Sequence, residues 1–232
     1  KGSLALAISQ SGASPDICSS LHSAKKNGAA TIAIVNNTDS QLASIADYVI
    51  PIGVGEEKAL AATKSFIGSL TCCIQLIATL ANDKSLLEAL NKLPEALAQA
   101  AESPWHDAIS ELTDAVNLIT ISRGIGYPIA REAALKLKET CNIHAEPFSA
   151  AEFQHGPMAL AAPDFPLLFF AQDDVTLPHL LALCQKMTNL GANTMLAVAN
   201  NIEIDSDTCR IQLPGGKSLH PILDPIISLQ SF

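Results

Sequence analysis

Residues Leu4–Asn36 read LALAISQSGASPDICSSLHSAKKNGAATIAIVN. The run LALAIS (Leu4–Ser9) is apolar and continuous, as in a strand buried on both faces. The turn that follows is rich in Ser and Gly. Pro15 then opens an amphipathic stretch, Pro15–Asn27, that carries lysines at its end, the pattern of a helix. TIAIVN (Thr31–Asn36) is a second apolar strand, and YVIPIG (Tyr48–Gly53) a third. A strand, a helix and a strand with starts about 27 residues apart form a βαβ unit, which forces the strands to be parallel.

The same layout recurs further along. PLLFFA (Pro166–Ala171) precedes a helix over Leu177–Leu190, then TMLAVAN (Thr194–Asn200), and CRIQL (Cys209–Leu213) closes the copy. The offset is again about 28 residues. Two such copies predict an α/β chain of two tandem doubly wound, flavodoxin-like parallel-sheet domains covered on both faces. The expected boundaries are 1–81 for the first domain, 82–114 for a helical connector containing Pro94 and Pro104, and 115–232 for the second. The copies are unequal. A strand, NLITIS (Asn117–Ser122), and a long charged helix precede the second copy. The first ends in a helix from about Ala59 to Leu80, a position the second reaches only at Phe232. The chain is therefore expected to lack its natural start and end, about 40 or more residues at the front and roughly a few dozen at the back.

Composition narrows the function. The chain has 232 residues, 48% of them hydrophobic and 16% charged, with a net charge of −9. That acidity disfavours a nucleic-acid surface. No apolar run approaches the roughly 20 residues of a membrane span, and Ile67–Ala81, broken by Ser69, Thr71, Gln75 and Thr79, reads as a buried helix. The six cysteines, at 18, 72, 73, 141, 184 and 209, form no C-x-x-C motif. They sit mostly within apolar segments, as reduced thiols do, which predicts a cytoplasmic protein without a metal. Cys141 could act as a nucleophile, but local spacing places no base beside it.

Charge concentrates in Arg131–Pro157, REAALKLKETCNIHAEPFSAAEFQHGP. Glu132, Lys136 and Glu139 share one helical face by i, i+4 and i+7 spacing, and His144 and His155 follow in a polar loop. An acid, a cation and a second acid on one face can divide proton transfer at a cleft. The alternative is a Glu132–Lys136 ion pair on a solvated surface. At the end of the first strand, Ser9, Gln10, Ser11 and Ser14 with Gly12 form either a lysine-free phosphate cradle at a helix N-terminus or an ordinary turn capped by Ser14. Arg123-Gly124-Ile125-Gly126 lacks the third glycine of a dinucleotide fingerprint and suits a tight turn. Lys64 is open to ligand contact, an acid partner or the surface.

Together, ISQSGASPD, ATKSF, SRGIGYPIAREAALKLKE and IHAEPFSAAEFQHGPMAL resemble the sugar isomerase (SIS) family. The likeness is to its two-domain members that process amino sugar phosphates, and it runs from Leu4 to about Phe232. The resemblance implies that Ser9, Gln10, Ser11 and Ser14 hold the sugar phosphate. It makes Glu139 the base that shuttles a proton between C1 and C2, with Lys136 assisting at the substrate's oxygen side. His155 would open the pyranose ring from the neighbouring subunit of a homodimer. Ala62 stands where the synthases of the family place a serine. No cofactor, nucleic acid or membrane partner is implied. The activity placed first is deamination of glucosamine 6-phosphate to fructose 6-phosphate and ammonia. The alternatives are the isomerase domain of a glutamine-dependent glucosamine-6-phosphate synthase and a non-catalytic phosphosugar sensor.

Overall fold

The computed structural model describes residues 2–59 and 61–232. The chain divides into two compact units, residues 1–84 and 85–232. In the first, β1 (Leu4–Ser9), β2 (Ala30–Val35) and β3 (Tyr48–Pro51) form a parallel sheet in the order β1-β2-β3. Leu4 pairs with Ala30 and Ser9 with Val35, while Ile32 pairs with Tyr48. Helix α1 (Pro15–Lys26) starts on Pro15, places Asp16 in its first turn and Lys25 and Lys26 in its last, and so complements the helix dipole at both ends. With α2 (Gln41–Ile45) it covers one sheet face. There Cys18, Leu21 and Leu42 pack with Ala33 and Val35, and with Ala5 and Ala7 of β1.

The other face of β1 departs from the expectation of a strand buried on both sides. Leu4, Leu6 and Ile8 are 55%, 43% and 42% exposed, because no helix lies over them among the described residues. The last helix of this unit, α3 (Lys64–Ala81), begins later than the expected Ala59 (Leu60 lies outside the described residues). The described residues before it, from Ile52, form no regular structure. Nor is α3 a buried helix. Ser65, Ile67 and Ala78 are its buried residues, while Ile77 and Leu80 are well exposed. Gly68 brings it onto the sheet, since a Cβ there would strike the side chains of Ile52 and Val54. By length and composition α3 meets the requirement for a membrane span. Within its own unit α3 buries Ser65, Ile67 and Ala78, and much of its remaining apolar surface is left open among the described residues.

The second unit opens with α4 (Lys84–Ala101), whose first residue falls at the boundary, and α5 (His106–Leu112); the stretch expected as a connector thus folds with the second sheet. Trp105, between them, donates its indole N–H to Ser231 Oγ (2.9 Å) and stacks edge-on against Phe232. The elements that follow are β4 (Asn117–Ser122), α6 (Tyr127–Cys141), β5 (His144–Ser149), the single turn α7 (Ala150–Phe153), β6 (Pro166–Phe170), α8 (Leu177–Asn189), β7 (Asn193–Val198), β8 (Ile211–Pro214) and α9 (Asp224–Ser231). The sheet is parallel, in the order β5-β4-β6-β7-β8. Chain direction across it reverses between β4 and β6, as a doubly wound sheet requires. Ile119, Ile121, Leu167, Phe169, Leu196 and Val198 face α8 and Phe153. On the opposite face Thr120 donates its hydroxyl to the Ala130 carbonyl of α6 (2.8 Å), and Phe170 packs on Trp105.

The expectation of a polar loop after α6 is corrected by β5. His144–Ser149 pairs with β4 along its whole length, from Asn117–His144 to Ser122–Ser149. As an edge strand it tolerates Pro147 and exposed polar side chains, so it lacks the apolar run that marks the other strands.

Candidate active site

In the first unit the candidate residues lie on the loop that leaves β1. Ser9 Oγ accepts the Gly12 N–H (3.1 Å) and Ser11 Oγ accepts the Ala13 N–H (3.3 Å), so two hydroxyls fold the backbone into a tight bowl. Gly12 is buried with φ +63°, and any Cβ there would collide with the Ser40 hydroxyl. Ser40 caps α2, and Gly12 in turn accepts the Leu42 N–H (3.0 Å). The neighbouring helix α2 thereby pins the loop. Ser14 stands at the N-cap of α1, yet its side chain makes no capping hydrogen bond. The hydroxyl reserved for capping in one reading is thus left at the mouth of a helix N-terminus, where N–H groups and the dipole favour an anion. Gln10 and Ser11 are exposed on the same loop.

In the second unit the candidate residues lie on α6. Lys136 Nζ is 2.9 Å from Glu132 Oε1 and 3.6 Å from Glu139 Oε2. The three groups share a face, as their spacing requires, but the face is not a solvated surface. The side chains of Glu132 and Lys136 are 10% and 13% exposed, against 37% for Glu139. One acid is buried, one cation is held between two acids, and one acid reaches the solvent. This gradient of exposure separates a buried carboxylate, Glu132, from one that faces solvent, Glu139. Sequence spacing placed Glu132 on this face but assigned it no role; burial is what distinguishes it.

His155 follows α7 in a turn closed by its own N–H, donated to the Glu152 carbonyl (3.0 Å), and its ring is exposed. His144 starts β5 and is also exposed, on an element that ends in the same turn region. In the first unit Lys64 Nζ donates to the Glu56 carbonyl (2.8 Å). Glu57 holds the start of α3 by accepting from Ser65 N–H (2.9 Å), Ser65 Oγ (3.0 Å) and Thr63 N–H (3.2 Å). The Ser65 amide, above all, keeps the Glu57 carboxyl below its ordinary value. Gly53, Val54, Gly55 and this acid therefore organise the approach to α3.

The SIS-domain family model matches residues 1–79 and 111–210. The glutamine–fructose-6-phosphate aminotransferase (isomerizing) of Zymomonas mobilis is 31% identical over 98% of this chain and 39% of its own length. That of Thermotoga maritima is 38% identical over 75% of the chain and 30% of its own. The chain thus spans well under half the length of these relatives. Among solved structures, a Silicibacter pomeroyi protein named as a phosphosugar isomerase aligns with a TM-score of 0.91 at 36% identity, covering 98% of this chain and 68% of that one. The C-terminal domain of the Francisella tularensis glucosamine–fructose-6-phosphate aminotransferase aligns at 0.88 and 31% identity, over 100% of this chain and 70% of its own. A glucosamine-6-phosphate deaminase from Thermotoga maritima shares the fold alone, at 0.72 and 20% identity, over 99% of this chain and 68% of that one. Matched over residues 1–79 and 111–210, the chain is a member of the SIS (sugar isomerase) family.

Proposed function

We propose that this chain is the isomerising part of a glutamine-dependent aminotransferase, and that it interconverts the ketose and aldose forms of an amino sugar phosphate. The carrying observation is the α6 face on which Glu132 buries and orients Lys136 while Glu139 stays open to solvent. The aminotransferase relatives above 30% identity favour this direction over the deaminase, to which the likeness is one of fold.

In this reading the hydroxyls and amide of Ser9, Gln10, Ser11 and Ser14 hold the phosphate at the α1 N-terminus. His155, from the second copy in a homodimer, promotes ring opening and closing. Glu139 takes the proton from C1 of the ketose-derived imine and returns it to C2, giving the aldose amine with no net gain or loss of protons. Lys136, 3.6 Å from Glu139, is assigned to assist at the substrate's oxygen side.

Glu139→Gln tests the assignment, because a positioned base commonly contributes about 10²–10⁴ in rate. In the full-length protein, glutamine-dependent formation of glucosamine 6-phosphate is expected to fall by that factor while calorimetric binding of the product is kept. Activity within tenfold of the parent would refute the role of Glu139. Ammonia release from glucosamine 6-phosphate that is efficient and indifferent to glutamine would move the conclusion to the deaminase.

A further inference from the structure

A hollow of about 300 Å³ in the second unit is lined by Arg123, Gln154, His179, Ala182, Leu183 and Lys186. The four α8 residues lie at i, i+3, i+4 and i+7, so they form one helical face. Arg123 reaches it from the turn after β4, and Gln154 from the turn after α7. We propose that this hollow is an anion site that takes a small phosphorylated molecule, separate from the Ser9–Ser14 loop of the first unit and independent of the isomerase reading.

Charge is the first argument. The chain carries a net charge of −9 and three arginines, yet Arg123, Lys186 and a histidine converge on one concavity. The acidic partners that hold other cations, such as Asp47 for Lys25 and Asp164 for Arg210, have no counterpart for Arg123 or Lys186 among the described residues. Like charges gathered without a counter-ion repel one another, and a bound dianion relieves that repulsion.

Position is the second argument. Arg123 follows the carboxyl end of β4, where the strand order reverses and open α/β sheets hold their ligands. At the end of the adjacent β6, the buried side-chain amide of Gln172 lies 3.3 Å from the Ser122 hydroxyl, which donates to the Phe170 carbonyl (2.7 Å), and it packs against Gly126, where any Cβ would clash. Arg123 thus stands at the strand-end crevice of this sheet, and Lys186 completes the hollow about two helical turns along α8 from His179. The loop in the place of Ser9–Ser14 is Gln172-Asp173-Asp174, with carboxylates instead of hydroxyls, so the cradle of the first unit is not repeated and cationic groups gather on the flank of α8 instead.

The test follows the His179 ring resonances, assigned with His179→Gln, by heteronuclear NMR on the whole chain. Inorganic phosphate and glucosamine 6-phosphate are titrated separately, with sodium chloride at matched ionic strength as control. A saturable shift is expected; saturation by phosphate alone identifies free phosphate as the ligand, and saturation by both identifies the phosphoryl group of a sugar phosphate. Lys186→Gln, on the exposed helix face, and Arg123→Gln should each weaken binding by about tenfold or more, the worth of a charged hydrogen bond. Ser11→Ala should leave it unchanged. A shift reproduced by sodium chloride, the absence of any shift, or its loss in Ser11→Ala with retention in Lys186→Gln would each overturn the proposal.

Discussion

Removing the α6 cation should damage the fold more than removing either of its acids. Lys136→Met leaves Glu132, 9% exposed, without its partner at 2.9 Å. Breaking a buried pair from one side costs about 3–5 kcal/mol; the residual 10–13% exposure of the two side chains puts the expectation near the lower end. Glu132→Gln leaves Lys136 still 3.6 Å from Glu139, so its cost should be about 1–2 kcal/mol. Glu139→Gln, at a side chain 37% exposed, should cost under about 1 kcal/mol. In the double variant Glu132→Gln/Lys136→Met no buried charge is stranded, and the cycle should return a coupling of about 2 kcal/mol. Trp105 is the sole tryptophan and lies in the second unit, so its fluorescence in urea isolates the unfolding of that unit. Equal losses for Lys136→Met and Glu139→Gln, or a coupling below about 0.5 kcal/mol at unchanged slope, would refute the description of a buried pair with a solvent-facing third member.

Other outcomes are as specific. Gly12→Ala, which combines a φ of +63° with a clash on Ser40, should destabilise the first unit by about 1–3 kcal/mol and abolish sugar-phosphate binding, read by hydrogen exchange and calorimetry. Asp47 is held below its ordinary carboxyl value of 3.8, first by the Lys25 hydrogen bond and then by Thr31, and Glu57 lies below its 4.5. Both contribute stability that is fully present above those values and is lost as pH falls through the lower folded-state ones. Acid unfolding followed by amide exchange should therefore begin in the first unit below about pH 4, and Asp47→Asn should flatten its pH dependence. Burial raises the Cys209 thiol to about 11 and raises Cys184 further. A thiol reagent at pH 8 should label exposed Cys141 in the native protein and reach Cys184 and Cys209 only on unfolding.

Hydrophobic runs made most of the architecture legible. Among the described residues, seven of the eight strands coincide with apolar segments of four to six residues, and each helix after a strand opens near a proline or an N-cap residue. β5 escaped because an edge strand with Pro147 and three polar positions carries no such run; its histidine and acid drew attention as chemistry instead. The start of α3 escaped because its cap is Glu57, reached across an irregular segment that local patterning does not record. Within the site, spacing placed Glu132, Lys136 and Glu139 on one face, and burial then ranked them. The Arg123–His179–Lys186 hollow joins residues far apart in sequence, and nothing but the folded sheet brings them together.

The uncovered flank of β1 also bears on work with isolated pieces of the protein. Among the described residues Leu4–Ser9 pairs with β2, and Leu4, Leu6 and Ile8 lie open on one face. A fragment cut to residues 1–232 would present that margin as a template onto which another extended segment can zip. Binding measured on such a fragment should be repeated at two protein concentrations, so that stacking does not masquerade as cooperativity. Leu6→Lys would blunt that margin without touching the serine bowl at its far end.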